Sequence, residues 1–127
     1  MTIDIARSPA ASGAAYSDAV VVDAGDVRWV HVAGQIARDP APDDVTGQSE
    51  ACFRQIGELL EGAGASLSDL VAITVYLTDL GAYEEFAAVR ARMLGGAPPA
   101  SAAVGVASLL FGAKVEIAAV AAVTARS

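Results

Sequence analysis

The sequence predicts an α+β domain, a mixed sheet with two helices on one face, and three observations carry that prediction. β-Branched runs crowd the two ends of the chain, two stretches of helical periodicity lie between them, and the last run is apolar on both of its faces. At 127 residues the chain fits one domain, residues 1–127.

The first 17 residues, with Pro9 amid Ala, Gly and Ser, read as a short strand or arm followed by a loop. Residues 19–23 (AVVVD) and 27–33 (VRWVHVA) are β-rich runs separated by a short Gly/Asp break, which predicts an antiparallel hairpin. From Gly34 to Gly47 closely spaced prolines and acids predict a surface loop. A helix follows over 49–63: Cys52, Phe53, Ile56, Leu59, Leu60 and Ala63 recur at three- and four-residue spacing, and Glu50, Arg54, Gln55, Glu58 and Glu61 take the other face. Gly62 and Gly64 end it.

The run 70–77 (LVAITVYL) predicts a strand. A second helix is expected at 82–94, where Tyr83, Phe86, Val89, Arg90 and Met93 keep helical spacing, capped by Thr78 or Asp79 and stopped by GGAPP at 95–99. Two more strands, 101–108 (SAAVGVAS) and 114–123 (KVEIAAVAAV), close the chain. In the last of these Val115, Ile117, Ala119, Ala121 and Val123 share one parity, while Glu116, Ala118, Val120 and Ala122 share the other. Two helices cover one sheet face, so the second apolar face is expected to meet further copies of the chain. The core is lean in large side chains, because 29 residues are Ala.

A formal charge of −7 opposes binding to phosphate backbones, so nucleic acid is not an expected partner. One cysteine excludes an internal disulfide, and Asp4 interrupts any secretory apolar stretch, which makes a cytoplasmic protein with no membrane partner the expectation. Phosphate loops, CxxC, HExxH and GxSxG are absent, and His31 and Cys52 stand alone, so neither a metal nor a cofactor is expected. Cys52 on an apolar stripe reads as a small buried hydrophobe; His31 reads as a packed or hydrogen-bonded residue, with ligand contact the other option. Glu116 is the most informative charge: in so apolar a strand it is either paired, with Lys114 the nearest partner, or a carboxylate that works at a cleft. Arg90 is either a solvated surface cation beside Arg92, Glu84 and Glu85 or an anion-binding group.

Residues 14–23 (AAYSDAVVVD), 33–40 (AGQIARDP), 63–80 (AGASLSDLVAITVYLTDL), 83–94 (YEEFAAVRARML) and 98–121 (PPASAAVGVASLLFGAKVEIAAVA) resemble successive blocks of the RidA (YjgF, endoribonuclease L-PSP) family. The resemblance implies a chorismate-mutase-like fold, a homotrimer with clefts between subunits, and hydrolysis of enamines and imines such as 2-aminoacrylate to a carbonyl compound and ammonia, without metal or cofactor. It further implies that Glu116, in the VEI segment, positions or activates water, and that Tyr16, Gly34, Arg90, Ser101 and Val104 contact the small-molecule substrate. One departure matters: where active members carry a carboxylate-binding arginine in a PAR segment, this chain has Pro99, Ala100 and Ser101, and serine offers no charged fork. Two functions remain open, a deaminase acting on a substrate other than 2-aminoacrylate, and a small-molecule-binding or structural trimer without the reaction.

Overall fold

Alternation along the last strand decides the layering. Val115, Ile117, Ala119 and Ala121 are 0–4% exposed beneath the helices, whereas the residues between them look outward from a sheet face that nothing among the described residues covers. The computed structural model describes residues 2–125. The strands are β1 (Ile3–Pro9), β2 (Ser17–Ala24), β3 (Val27–Gln35), β4 (Leu70–Leu77), β5 (Ala100–Gly105) and β6 (Val115–Thr124), with helices α1 (Val45–Gly62) and α2 (Tyr83–Leu94). They form a six-stranded sheet in the order β1-β2-β3-β6-β4-β5, antiparallel except for the β4–β5 pair, which α2 connects in parallel. The α+β class and the placement of both helices on one face follow from this.

The hairpin expected around 24–26 forms, with Ala24 opposite Val27 and Gly25 at φ +60, where a side chain would be strained. The N-terminal piece is a full edge strand, all seven residues exposed, paired along β2. Helix α1 starts four residues earlier than its periodicity predicts. Asp44 caps it, its carboxylate accepting from the Gly47 N–H at 3.0 Å, and a Cβ on Gly47 would come within 2.6 Å of the Pro42 side chain. Glycine in that first turn therefore answers to packing against a proline, although it reads as a loop residue. Gln55, expected on the solvent face, is 6% exposed and its amide is fully engaged. Phe53 and Phe86 stack with ring centroids 6.1 Å apart and join α1 to α2 over Ile56, Leu60, Val75, Leu77, Val115 and Ile117. β5 ends at Gly105, three residues short of the expected stretch, and all six of its residues are exposed.

No helix among the described residues is long and apolar enough to cross a membrane.

Candidate functional site

The candidate site centres on a carboxylate of the uncovered face. Glu116 stands on β6 directly across from Tyr76 of β4, and Tyr76 in turn pairs with Val104 of β5, so the three lie in one row on the open face. On the other side of Glu116 the β3–β6 register slips between Val32 and Gln35, which makes Ala33 and Gly34 a bulge. The backbone of Gly34 packs against the Glu116 carboxylate so closely that a Cβ there would overlap its oxygen and lie 2.9 Å from its Cδ. Gly34 is not in the left-handed region; it is glycine because the carboxylate occupies the space. Tyr16, 55% exposed, ends the loop before β2, tied through its backbone to Ala10 and Ala14, and lies at the same end of the sheet because Ala19 pairs with Val32.

A buried polar network fixes the bulge. The Gln35 side chain donates to the Ala33 carbonyl at 3.0 Å, Gln55 of α1 donates to Gln35 Oε1 at 3.2 Å and to the Ile36 carbonyl at 3.0 Å, and Gln55 Oε1 accepts from the Arg38 N–H at 3.0 Å. The start of β6 is tied to α1 in the same way, by Gln48 Oε1 accepting from the Lys114 N–H at 2.9 Å. Gln35, Gln48 and Gln55 are each 6% exposed, and every unmade bond among them would leave a buried polar atom uncompensated. Sequence reasoning missed these residues. A glutamine on the polar stripe of a helix is silent until its tertiary partner is known, and only the Gly-Gln pair at the end of β3 hinted at them.

Cys52 donates its thiol hydrogen to the Gln35 carbonyl at 3.1 Å. Burial pushes that thiol up to about 12, opposed by a backbone bond from Ala37 and reinforced by the Glu116 charge, so it stays protonated and inert. His31, read as packed or hydrogen-bonded, is exposed on the open face between Val20 and Val120. Lys114 donates its ammonium to the Asp43 carbonyl at 2.7 Å and makes no ion pair with Glu116. No group of three or more His, Cys, Asp or Glu suited to a metal occurs among the described residues.

Ser101 and Arg90 lie elsewhere. Ser101 pairs with Ile73, whose side chain is buried under the helices, so Ser101 points to the helix side of the sheet and Glu116 to the other. Arg90 of α2 donates to Ser101 Oγ and to the Tyr83 hydroxyl, each at 3.0 Å, with its guanidinium carbon 5.6 Å and 5.3 Å from the centres of the Tyr83 and Phe86 rings. Within one chain, then, the expected site residues form two groups: Glu116, Gly34, Val104 and Tyr16 at one end of the open face, and Arg90 with Ser101 at the helix-side edge of β5. The pattern expected to gather in one pocket is split because residue parity across a parallel pair is set by register, which the sequence alone does not state.

Residues 6–123 match the family model described as Endoribonuclease L-PSP. The chain is 41% identical over 120 residues to Protein DfrA of Myxococcus xanthus, covering 91% of this chain and 89% of the relative. It is 36% identical over 124 residues to 2-iminobutanoate/2-iminopropanoate deaminase of Rattus norvegicus, covering 94% and 87%. The crystal structure of a member of the highly conserved YjgF family from Mycobacterium tuberculosis is similar with a TM-score of 0.81 and 32% identity, covering 94% of this chain and all of that one.

Proposed function

The chain belongs to the endoribonuclease L-PSP (RidA, YjgF) family, and from that premise we propose that it is a homotrimeric hydrolase of imines or enamines, acting on a substrate other than 2-aminoacrylate. The observation that carries this reading is the Glu116 carboxylate, presented on an uncovered sheet face and pressed against the bulge at Gly34. Similarity to a relative named for 2-imino acids supports the substrate class.

The chemistry asks for little. An enamine first takes a proton on carbon and becomes an iminium. Water then adds to the C=N carbon while Glu116 removes a proton from it, and the carboxyl group returns that proton to nitrogen. The C–N bond breaks as C=O forms, the hydroxyl proton passing to the Glu116 carboxylate and on to the departing ammonia. Held water and a held carbon supply most of the benefit, since orientation replaces a bimolecular encounter. Backbone groups at Gly34 and the Val104 wall line the reacting end, with Tyr16 at its mouth. A second copy, laid over the open face, brings its own Ser101 and Arg90 to the other end. Trp29, Ile5 and Ile3, 39–59% exposed on that same face, support the assembly, which light scattering should report as three times 12.8 kDa.

Ser101 gives a second reading a specific footing: a trimer that binds a carbonyl compound without hydrolysing its imine. The two separate in one assay. 2-Imino acids of increasing chain length, generated in situ by an amino-acid oxidase, should yield 2-oxo acid faster than their spontaneous hydrolysis, and Glu116→Gln should lower that acceleration on the order of 100-fold while leaving the unfolding midpoint in place. No acceleration for any chain length supports the binding protein instead.

A further inference from the structure

Two arginines on α2 are treated differently by the fold. Arg92 meets Glu50 at 2.8 Å. Arg90 meets no carboxylate among the described residues; its bonds go to two neutral hydroxyls, Ser101 and Tyr83, and its guanidinium carbon lies over the Tyr83 and Phe86 rings. The spacing of Tyr83, Phe86 and Arg90 puts all three on one stripe of the helix. A guanidinium held this way is oriented without being neutralised. Two of its five N–H donors are engaged and the other three find no protein acceptor among the described residues. The bond to Ser101 is solvent-accessible, so the cation can be reached.

We propose that Arg90 is the carboxylate anchor of the site, supplied by α2 rather than by β5, for 2-oxo or 2-imino acids. The inference rests on the hydrolase reading above and names the substrate end opposite Glu116. A rigid, bidentate fork lying on aromatic rings is the group best suited to a planar carboxylate. Serine at 101 belongs to the same device, because an arginine there would press a second cation onto the first.

The test titrates pyruvate, 2-oxohexanoate and the neutral 2-oxohexanamide against the full chain by NMR, with urea midpoints recorded for each variant. The natural protein should bind pyruvate and 2-oxohexanoate, and the amide weakly. Arg90→Met should weaken 2-oxohexanoate about 10- to 100-fold and leave the amide unchanged, a discrimination that a merely structural arginine would not show. Arg90→Lys, which keeps the charge without the fork, should fall between them and carries the test if the Met variant does not fold. Ser101→Arg alone should bring no gain; combined with Arg90→Met it should restore carboxylate binding. Equal binding of 2-oxohexanoate by the natural protein and Arg90→Met, no binding by the natural protein, or a gain from Ser101→Arg alone would each overturn the proposal. The hydrolase reading is judged separately by Glu116→Gln, which leaves Arg90 untouched.

Discussion

The two faces of β6 differ by one residue in the chain and by almost everything in their surroundings. Val115, Ile117 and Ala121 are fully buried under α1 and α2; Glu116, Ala118 and Val120, their immediate neighbours, belong to a face that a single chain leaves open. The covered face is built from complementary volumes, and its value is stability. Along β6 the open face offers small side chains and the Glu116 carboxylate, beside the bulge of β3, and the proposed chemistry and assembly use that side. The lesson is that a strand with no polar face need not be a strand with two cores: the odd charge on it marks the side the helices leave open.

That contrast can be broken from the covered side first. Phe53→Ala removes a fully buried ring stacked on Phe86 and is expected to cost about 3–5 kcal/mol in urea unfolding, enough to threaten the fold itself. On the open side the effects should separate. Gly34→Ala forces the Glu116 carboxylate to move, and the group displaced is the end of a flexible side chain, so stability should change by less than about 1 kcal/mol while turnover falls on the order of 100-fold. A large stability loss in Gly34→Ala would show that the open face is structural after all.

The smallest effect sharpens the comparison at the sheet's edge. Asp23 and Arg28 lie on the helix side, beyond the end of α1; the carboxylate accepts from Arg28 at 2.7 Å and 2.9 Å while Arg28 also reaches the Ala63 carbonyl at 3.0 Å. The hydrogen bond to Arg28 holds the Asp23 carboxyl below its ordinary value of 3.8. A depressed native pKa gives stability that is present above 3.8 and is lost as pH falls through the native value. Asp23→Asn should therefore be slightly less stable than the natural chain at neutral pH, with the gap closing in acid. A gap that stays constant down to about pH 2 would mean that the ionised pair contributes nothing.

Much of this was legible beforehand, for physical reasons. Alternation in 115–123, helical spacing around Phe53 and Phe86, and the Gly-Asp turn are local signals, and local signals survive in sequence. Glu116 stood out because a charge in an apolar strand conflicts with its surroundings. What stayed hidden depends on pairing at a distance: that Gln55 is swallowed by the loop after β3, and that Ser101 and Glu116 fall on opposite faces. Arg90 was visible as a candidate, but its seat on two aromatic rings required the helix to be packed.

β5 has a last consequence. None of its residues is buried, and its ladder with β4 is what attaches it to the sheet. Such a strand sits at the low end of the local-opening scale, so its amides should exchange with solvent sooner than those of the central strands. Ser101 and Val104 ride on it. If copies of the chain bury β5, as the proposed trimer requires, that opening equilibrium shifts by mass action, so the order of one wall of the candidate site becomes a function of protein concentration, and dilution alone, without denaturant or mutation, should loosen it before any of the core is disturbed.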